Sequence, residues 1–150
     1  MKRTRKPRRY VLVVESSEAI YEEIARFFGD KSRESLFDFR VFSAHDRDQA
    51  LAHLEPVFPS YGLIFWGDIE GDCLDLIGQA TASDRHFFMV AMGKEAPDVT
   101  ARHEAGCTCA IDPEEPFRQS LEGNYNRKWH FMTTMREEES LQTRVSTRFD

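Results

Sequence analysis

The chain has 150 residues, of which 41% are hydrophobic and 12% aromatic. This length and composition are typical of one folded domain and exclude a disordered chain. No apolar run is long enough to cross a membrane, so we predict no membrane span. The three cysteines have no disulfide-framework spacing, which favours a reducing, cytoplasmic location.

The formal net charge of −6 is unevenly distributed along the chain. Residues 1–9, "MKRTRKPRR", contain six Lys or Arg residues and no acid. We predict that residues 1–9 form a disordered basic tail. Residues 2–9 are the only candidate for nucleic-acid contact, and one short arm would bind nucleic acid only weakly and in a salt-sensitive way. Nucleic-acid binding is therefore not favoured.

Short apolar runs alternate with amphipathic segments along the rest of the chain. "YVLVV" is rich in β-branched residues and predicts a buried strand. "EAIYEEIARFF" repeats its apolar residues at helical spacing, and we expect Gly29 to end that helix. The predicted strands cover residues 10–14, 36–44, 61–66, 86–92 and 107–111. The predicted helices cover residues 18–28, 45–54, 73–80 and 98–106, with a last helix after Pro113.

This alternation predicts an α/β three-layer sandwich with a five-stranded parallel sheet and helices on both faces. Ligands of such sheets bind at the carboxyl ends of the strands. Candidate functional residues therefore lie in four segments, Glu15–Ser17, Gly67–Asp72, Ala91–Gly93 and Asp112–Pro113.

Three segments resemble the receiver domain of bacterial two-component response regulators: "VLVVESSEAIYEEIARFF", "VFSAHDRDQALAHL" and "AGCTCAIDP". The resemblance covers residues 10–122 and implies a flavodoxin-like, receiver-type fold and a role in phosphorelay signal transduction. Receivers of this family become phosphorylated on their own aspartate at the end of the third strand. Nearby are acids that hold Mg²⁺, a Thr or Ser hydroxyl, and a Lys.

The chemical positions of that family are altered here. Glu15 falls at the first acid, but Ser16 falls at the second and Gly67 at the phosphoacceptor. Ala91 falls at the hydroxyl position, and Asp112 stands where the lysine is expected. The resemblance therefore implies a pseudo-receiver: a vestigial site with no catalytic residue and no cofactor, not an enzyme, that acts through phosphorylation-independent protein–protein contact.

Two alternatives remain open from the sequence. A bulge in the third strand would bring Asp68 into the phosphoacceptor role, with Mg²⁺ as its cofactor. Alternatively, Gly67 and Ala91 would leave room for a small-ligand or divalent-metal sensor, with Glu15 and Asp68 as candidate metal ligands. The nearby acids Glu70, Asp72 and Asp112 would add to such a cluster.

Cys107 and Cys109 are two residues apart in a predicted strand. Residues at that spacing point to the same face of a strand. Free cysteines are among the most buried residue types, so we predict that both pack in the core rather than bind a metal.

The segment after Pro116 carries an apolar stripe at helical spacing. The stripe consists of Phe117, Leu121, Tyr125, Trp129 and Met132. We predict residues 123–150 to be a helical extension beyond the domain, although "KWHFMTTM" also fits strand alternation. Either the extension has a frayed, charged end, or Tyr125, Trp129 and Met132 form an interface for a protein partner or a second copy in a homodimer.

Overall fold

A computed structural model of the chain describes residues 6–56, 61–69, 73–83, 87–93, 96–114 and 116–134. The strands are β1 Arg8–Val14, β2 Asp38–Ala44, β3 Leu63–Trp66, β4 Phe88–Met92 and β5 Cys109–Ile111. The helices are α1 Glu18–Glu34, α2 Arg47–Leu54, α3 Leu74–Ala82, α4 Ala96–Ala105 and α5 Phe117–Arg127, followed by a 3₁₀ turn at His130–Thr133.

All five strands are parallel, and their order in the sheet is β2-β1-β3-β4-β5. Helices α1 and α5 cover one face of the sheet, over the side chains of Val11, Leu63 and Phe65. Helices α2 and α3 cover the other face, where Leu12 and Ile64 are buried. The predicted three-layer, flavodoxin-like architecture is confirmed. None of the helices in the described ranges combines the length and hydropathy that a membrane span requires.

Helix α1 continues past the predicted stop at Gly29 and ends at Glu34. A glycine inside a helix costs about 1 kcal/mol relative to alanine, and contacts made after Gly29 offset that cost. The ammonium of Lys31 lies 2.8 Å from the Glu122 carboxylate of α5 and 4.8 Å from the centre of the Tyr125 ring. The prediction that Gly29 ends the helix was wrong because these contacts come from a distant segment.

The basic start of the chain is partly built into the sheet. Strand β1 begins at Arg8, and Arg9 is buried. The Arg9 guanidinium donates to the Thr134 carbonyl at 2.8 Å and lies 4.7 Å from the centre of the Phe37 ring. The predicted disordered tail is therefore wrong at Arg8 and Arg9, and Arg9 is not available to nucleic acid. Residues 1–5 lie outside the described residues.

Both predicted core cysteines are buried, but they pack in different layers of the sandwich. Cys109 lies in the core on the α1 side of the sheet, and Cys107 lies in the core on the opposite side. Strand β5 begins only at Cys109, so Cys107 precedes it and does not follow the strand alternation. Burial raises the pKa of the Cys107 thiol to about 12. This thiol is consequently not a reactive nucleophile at neutral pH.

The apolar stripe at the carboxyl end folds back onto the sheet. Helix α5 ends at Arg127, and the backbone N–H of Trp129 donates to the Asn124 carbonyl at 2.8 Å. Trp129 is fully buried, with its ring centre 5.4 Å from that of Phe65. Met132 is buried beside it, in the 3₁₀ turn.

The interface prediction for Trp129 and Met132 was therefore wrong, since an intramolecular core already covers both side chains. Tyr125 is half-buried and packs against the same core. Residues 123–134 belong to the domain, and the segment that fits strand alternation forms a 3₁₀ turn. Residues 135–150 of the predicted extension lie outside the described residues.

Candidate functional site

The candidate site lies where β1, β3 and β4 end. Past the end of the strands, the N–H of Gly67 donates to the Val14 carbonyl at 2.8 Å, and the N–H of Ser16 donates to the Asp68 carbonyl at 2.9 Å. The pairing of β1 with β3 is regular up to Val14 and Trp66. The bulge that would bring Asp68 to the position of Gly67 does not occur in the described residues 61–69, which include β3.

The space beside Gly67 is filled by two side chains. A Cβ atom added to Gly67 would lie 2.6 Å from Glu15 Oε1 and 3.0 Å from Met92 Cε. Real Cβ atoms do not approach other heavy atoms as closely as 2.6 Å. The glycine thus permits the Glu15 carboxylate to lie against the end of β3. The expectation that Gly67 leaves an open space is wrong for this reason.

Glu15 is only 4% exposed, and its carboxylate is held by the backbone N–H groups of the two residues that follow it. Its Oε2 atom accepts hydrogen bonds from the N–H groups of Ser16 at 2.8 Å and Ser17 at 3.3 Å. Burial raises the pKa of Glu15, while the backbone N–H groups of Ser17, Ser16 and Asp68 partly offset this rise. The oxygen lone pairs that would bind a metal ion are therefore partly used by N–H groups.

Strand β4 contributes Met92, rather than Ala91, beside Gly67. Ala91 is paired with Trp66, and both side chains lie in the core on the α3 side of the sheet. Met92 lies on the other face, and its methyl group is the one that approaches Gly67. The resemblance to receivers indicated from the sequence that the hydroxyl is missing at Ala91. The strand register determines that Met92 fills the space beside Gly67.

An arginine from α4 supplies a cation that the sequence interpretation missed. The guanidinium of Arg102 donates to Asp68 Oδ1 at 2.6 Å and to the Met92 carbonyl. The side chain of Arg102 is 9% exposed, and that of Asp68 is 75% exposed. Burial lowers the pKa of Arg102, but its interactions with the Asp68 carboxylate and with Cys73 together more than offset this effect, and the net shift is upward. The only available signal was helical spacing, which places Arg102 on the same face as Val99.

Asp112 lies where the resemblance implies a lysine, and its carboxylate caps a turn. Its Oδ1 atom accepts from the Glu114 N–H at 2.9 Å. The positive charge of the site comes from Arg102 instead. Among the described residues, no group of three or more His, Cys, Asp or Glu side chains is arranged to hold a metal ion. Glu70 and Asp72 lie outside the described residues.

The structure therefore brings together Glu15, Ser16, Gly67 and Asp68, as the sequence predicts. It adds Met92 and Arg102, and it turns Ala91 away into the opposite layer. Chemically, the site is a buried carboxylate held by backbone N–H groups, next to an exposed carboxylate paired with a buried arginine. No nucleophile occupies position 67.

Neither protein-family models nor curated protein sequences match the chain. Solved structures do match it. A CheY-like response regulator receiver domain from Methylobacillus flagellatus is 17% identical, with a TM-score of 0.63 over 79% of this chain and 96% of that one. A response regulator from Thermotoga maritima is 18% identical, with a TM-score of 0.60 over 79% of this chain and 95% of that one.

An orphan response regulator of H. pylori, HP1043, is 12% identical, with a TM-score of 0.63 over 79% of this chain and 93% of that one. At these identities the likeness establishes the fold, and the chemistry must be argued from the side chains of this chain. The chain therefore has the receiver-type, CheY-like fold of response regulators.

Proposed function

We propose that the chain is a response-regulator-like signalling domain that acts through protein–protein contact, without phosphorylation of its own and without enzymatic turnover. One observation carries the proposal: the Glu15 carboxylate fills the space beside Gly67, the position at which the resemblance implies the phosphoacceptor. A site whose reacting position is occupied by another side chain of the same protein has no room for a phosphoryl group there.

The remaining side chains support the same proposal. An acyl phosphate forms when a carboxylate attacks phosphorus, and cations and hydroxyl donors then stabilise the transferred charge. Gly67 has no nucleophile, and the Met92 methyl group lies beside it in place of a hydroxyl. Asp112, which follows β5, adds a negative charge where the resemblance implies a lysine. Three of the groups that phosphoryl transfer needs are therefore missing or reversed.

Phosphorylation of Asp68 with Mg²⁺ is the second candidate, and one observation favours it. Arg102 contacts the Asp68 carboxylate directly, so a cation is available at this residue. The Asp68 side chain is also exposed enough to meet a phosphodonor. The regular register of β3 counts against it, because Asp68 lies one residue beyond the Gly67 position.

The small-ligand or divalent-metal sensor is the least supported of the three functions. It requires free space beside Gly67 and free lone pairs on Glu15 and Asp68. Glu15 occupies that space and accepts backbone hydrogen bonds, while Asp68 is paired with Arg102.

The partner under this proposal is another protein or a second copy of the chain. Trp129 and Met132 are not available to that partner, since both are buried. The contact surface therefore does not include these two side chains, while the half-buried Tyr125 keeps some exposed surface.

The test is intact-mass spectrometry after incubation with Mg²⁺ and a small acyl-phosphate donor. A receiver that keeps its phosphoacceptor aspartate serves as the positive control, and the Asp68→Asn variant serves as the matched control. We expect no phosphate adduct under conditions that label the positive control. An adduct that disappears in Asp68→Asn would overturn the proposal in favour of the Asp68 phosphoacceptor.

A further inference from the structure

Helix α4 is attached to the rest of the molecule differently from the other helices. Each of α1, α2, α3 and α5 buries at least one apolar side chain. The structure describes the side chains of α4 from residue 99 to residue 105, and within that range the only buried one is Arg102. Val99 and Ala105 are half-buried at the edge of the core. Among residues 99–105, a cation rather than an apolar residue is the most deeply buried side chain.

A buried cation requires compensation. Moving a charged group out of water costs several kcal/mol unless hydrogen bonds and an opposite charge replace the lost solvation. Arg102 obtains both at the candidate site, from the Met92 carbonyl at the end of β4 and from Asp68 after β3. Cys73 also forms a hydrogen bond with Arg102. Asp68 is the carboxylate among these partners, so we expect the docking of Arg102 to weaken when that charge is removed.

The carboxyl end of α4 has separate attachments that do not involve this charge. The N–H groups of Gly106 and Cys107 donate to the Arg102 carbonyl. The Thr81 hydroxyl of α3 lies 3.2 Å from the Ala105 carbonyl and 2.8 Å from the Ile77 carbonyl, and it shares its single proton between them. These bonds hold the last turn of α4 in place. Loss of the Arg102–Asp68 pair would consequently loosen α4 without detaching it from the domain.

We propose that the Arg102–Asp68 ion pair is a latch that holds α4 against the carboxyl edge of the sheet, so that the charge on Asp68 sets how firmly α4 is docked. An agent that neutralises or sequesters the Asp68 carboxylate would release α4, and a partner that contacts α4 would sense the difference. This inference goes beyond the proposed function, because it concerns the carboxylate itself and holds whether or not Asp68 accepts phosphate.

Hydrogen–deuterium exchange of the full chain, followed by mass spectrometry, tests the latch without a partner. Asp68→Asn removes the charge and preserves the size of the side chain. We expect the backbone amides of α4 to exchange about fivefold faster in this variant, as expected for loss of one charge-assisted hydrogen bond that is partly exposed. The exchange of α1 and α5 should stay unchanged.

Asp30→Asn is the matched control, since Asp30 forms an ion pair with Arg118 that joins α1 to α5 on the opposite face. It should leave α4 exchange unchanged. Unchanged α4 exchange in Asp68→Asn, or an equal rise in both variants, would overturn the latch. In an Arg102→Leu background the Asp68→Asn change should have no further effect on α4. If Arg102→Leu does not fold, the comparison of α4 exchange in Asp68→Asn and Asp30→Asn still tests the latch.

Because the latch is measured by exchange and the proposed function by phosphate incorporation, the two can fail separately. A phosphate adduct on Asp68 together with faster α4 exchange in Asp68→Asn would overturn the proposed function and support the latch.

Discussion

The carboxylate of Glu15 and the absent side chain of Gly67 occupy the same space. A Cβ atom on residue 67 would lie 2.6 Å from Glu15 Oε1, while the carboxylate is fixed by the N–H groups of Ser16 and Ser17. The absence of a side chain at Gly67 accommodates the buried carboxylate, and the Glu15 carboxylate fills the space that the glycine leaves.

We expect Gly67→Ala to lower the free energy of unfolding by about 1–2 kcal/mol, because the added methyl group overlaps the Glu15 carboxylate and strains a packed site. In a Glu15→Ala background the same substitution should cost much less. Denaturant unfolding of the four proteins in this double-mutant cycle measures the coupling.

Gly78→Ala is the control for that cycle, since an added Cβ at this position in α3 meets no atom within 4 Å. It should stabilise the protein by about 1 kcal/mol through helix propensity. Equal costs for Gly67→Ala with and without Glu15 would contradict the steric relationship between the two residues.

Glu15 should make the stability of the protein depend on pH. Burial raises its pKa above the ordinary value of 4.5, so the folded state binds more protons than the unfolded state between the two pKa values. The contribution of Glu15 to stability is then fully present below pH 4.5 and is lost as the pH rises through the folded pKa. Glu15→Gln has no such titration, and its unfolding free energy relative to the wild type should increase from pH 4.5 towards neutrality.

Urea unfolding at a series of pH values measures that difference. The wild-type protein, measured at the same pH values, is the reference. A Glu15→Gln curve that stays parallel to the wild type would show that burial of Glu15 does not couple folding to protonation.

The ion pair of Lys31 with Glu122 should contribute measurably to stability, unlike most surface pairs. Burial lowers the pKa of Lys31, but the hydrogen bonds and charges of Glu122 and Glu34 together more than offset this effect, so the net shift is upward. We expect Lys31→Ala to cost about 1–2 kcal/mol, through the lost charge-assisted hydrogen bond and the lost contact with the Tyr125 ring.

Thermal or denaturant unfolding checks this value. Arg33→Ala is the control, because Arg33 also pairs within α1 but its side chain is 74% exposed, and it should change stability by less than about 0.5 kcal/mol. Equal stability losses for Lys31→Ala and Arg33→Ala would mean that the Lys31–Glu122 contact with α5 does not stabilise the protein.

Trp129→Ala should lower the free energy of unfolding by about 3–5 kcal/mol, since the indole is fully buried between the Phe28 and Phe65 rings. If Trp129 were an interface residue of the isolated chain, the substitution would leave stability unchanged. Leu36→Ser provides the comparison, because Leu36 is 75% exposed and should cost less than about 0.5 kcal/mol. Denaturant unfolding of both variants distinguishes the two roles.

The sequence by itself determined the layered α/β fold and the location of the candidate site. Strands such as β1 are rich in apolar, β-branched residues, and the helices between them carry apolar residues at helical spacing, so local pattern and global fold agree. The carboxyl-edge position of Glu15, Gly67 and Asp68 follows from the parallel sheet that this alternation requires. These features depend on neighbours in the chain.

Tertiary structure alone decided what the site contains and what is available to a partner. Arg102 reaches Asp68 from 34 residues away in the chain, and Met92 replaces Ala91 beside Gly67 because of strand register. The continuation of α1 beyond Gly29 and the burial of Trp129 likewise depend on contacts between distant segments. The physical reason is common to all of them: burial and pairing of a side chain depend on which atoms surround it in space, and local periodicity specifies only which face of its own helix or strand it occupies.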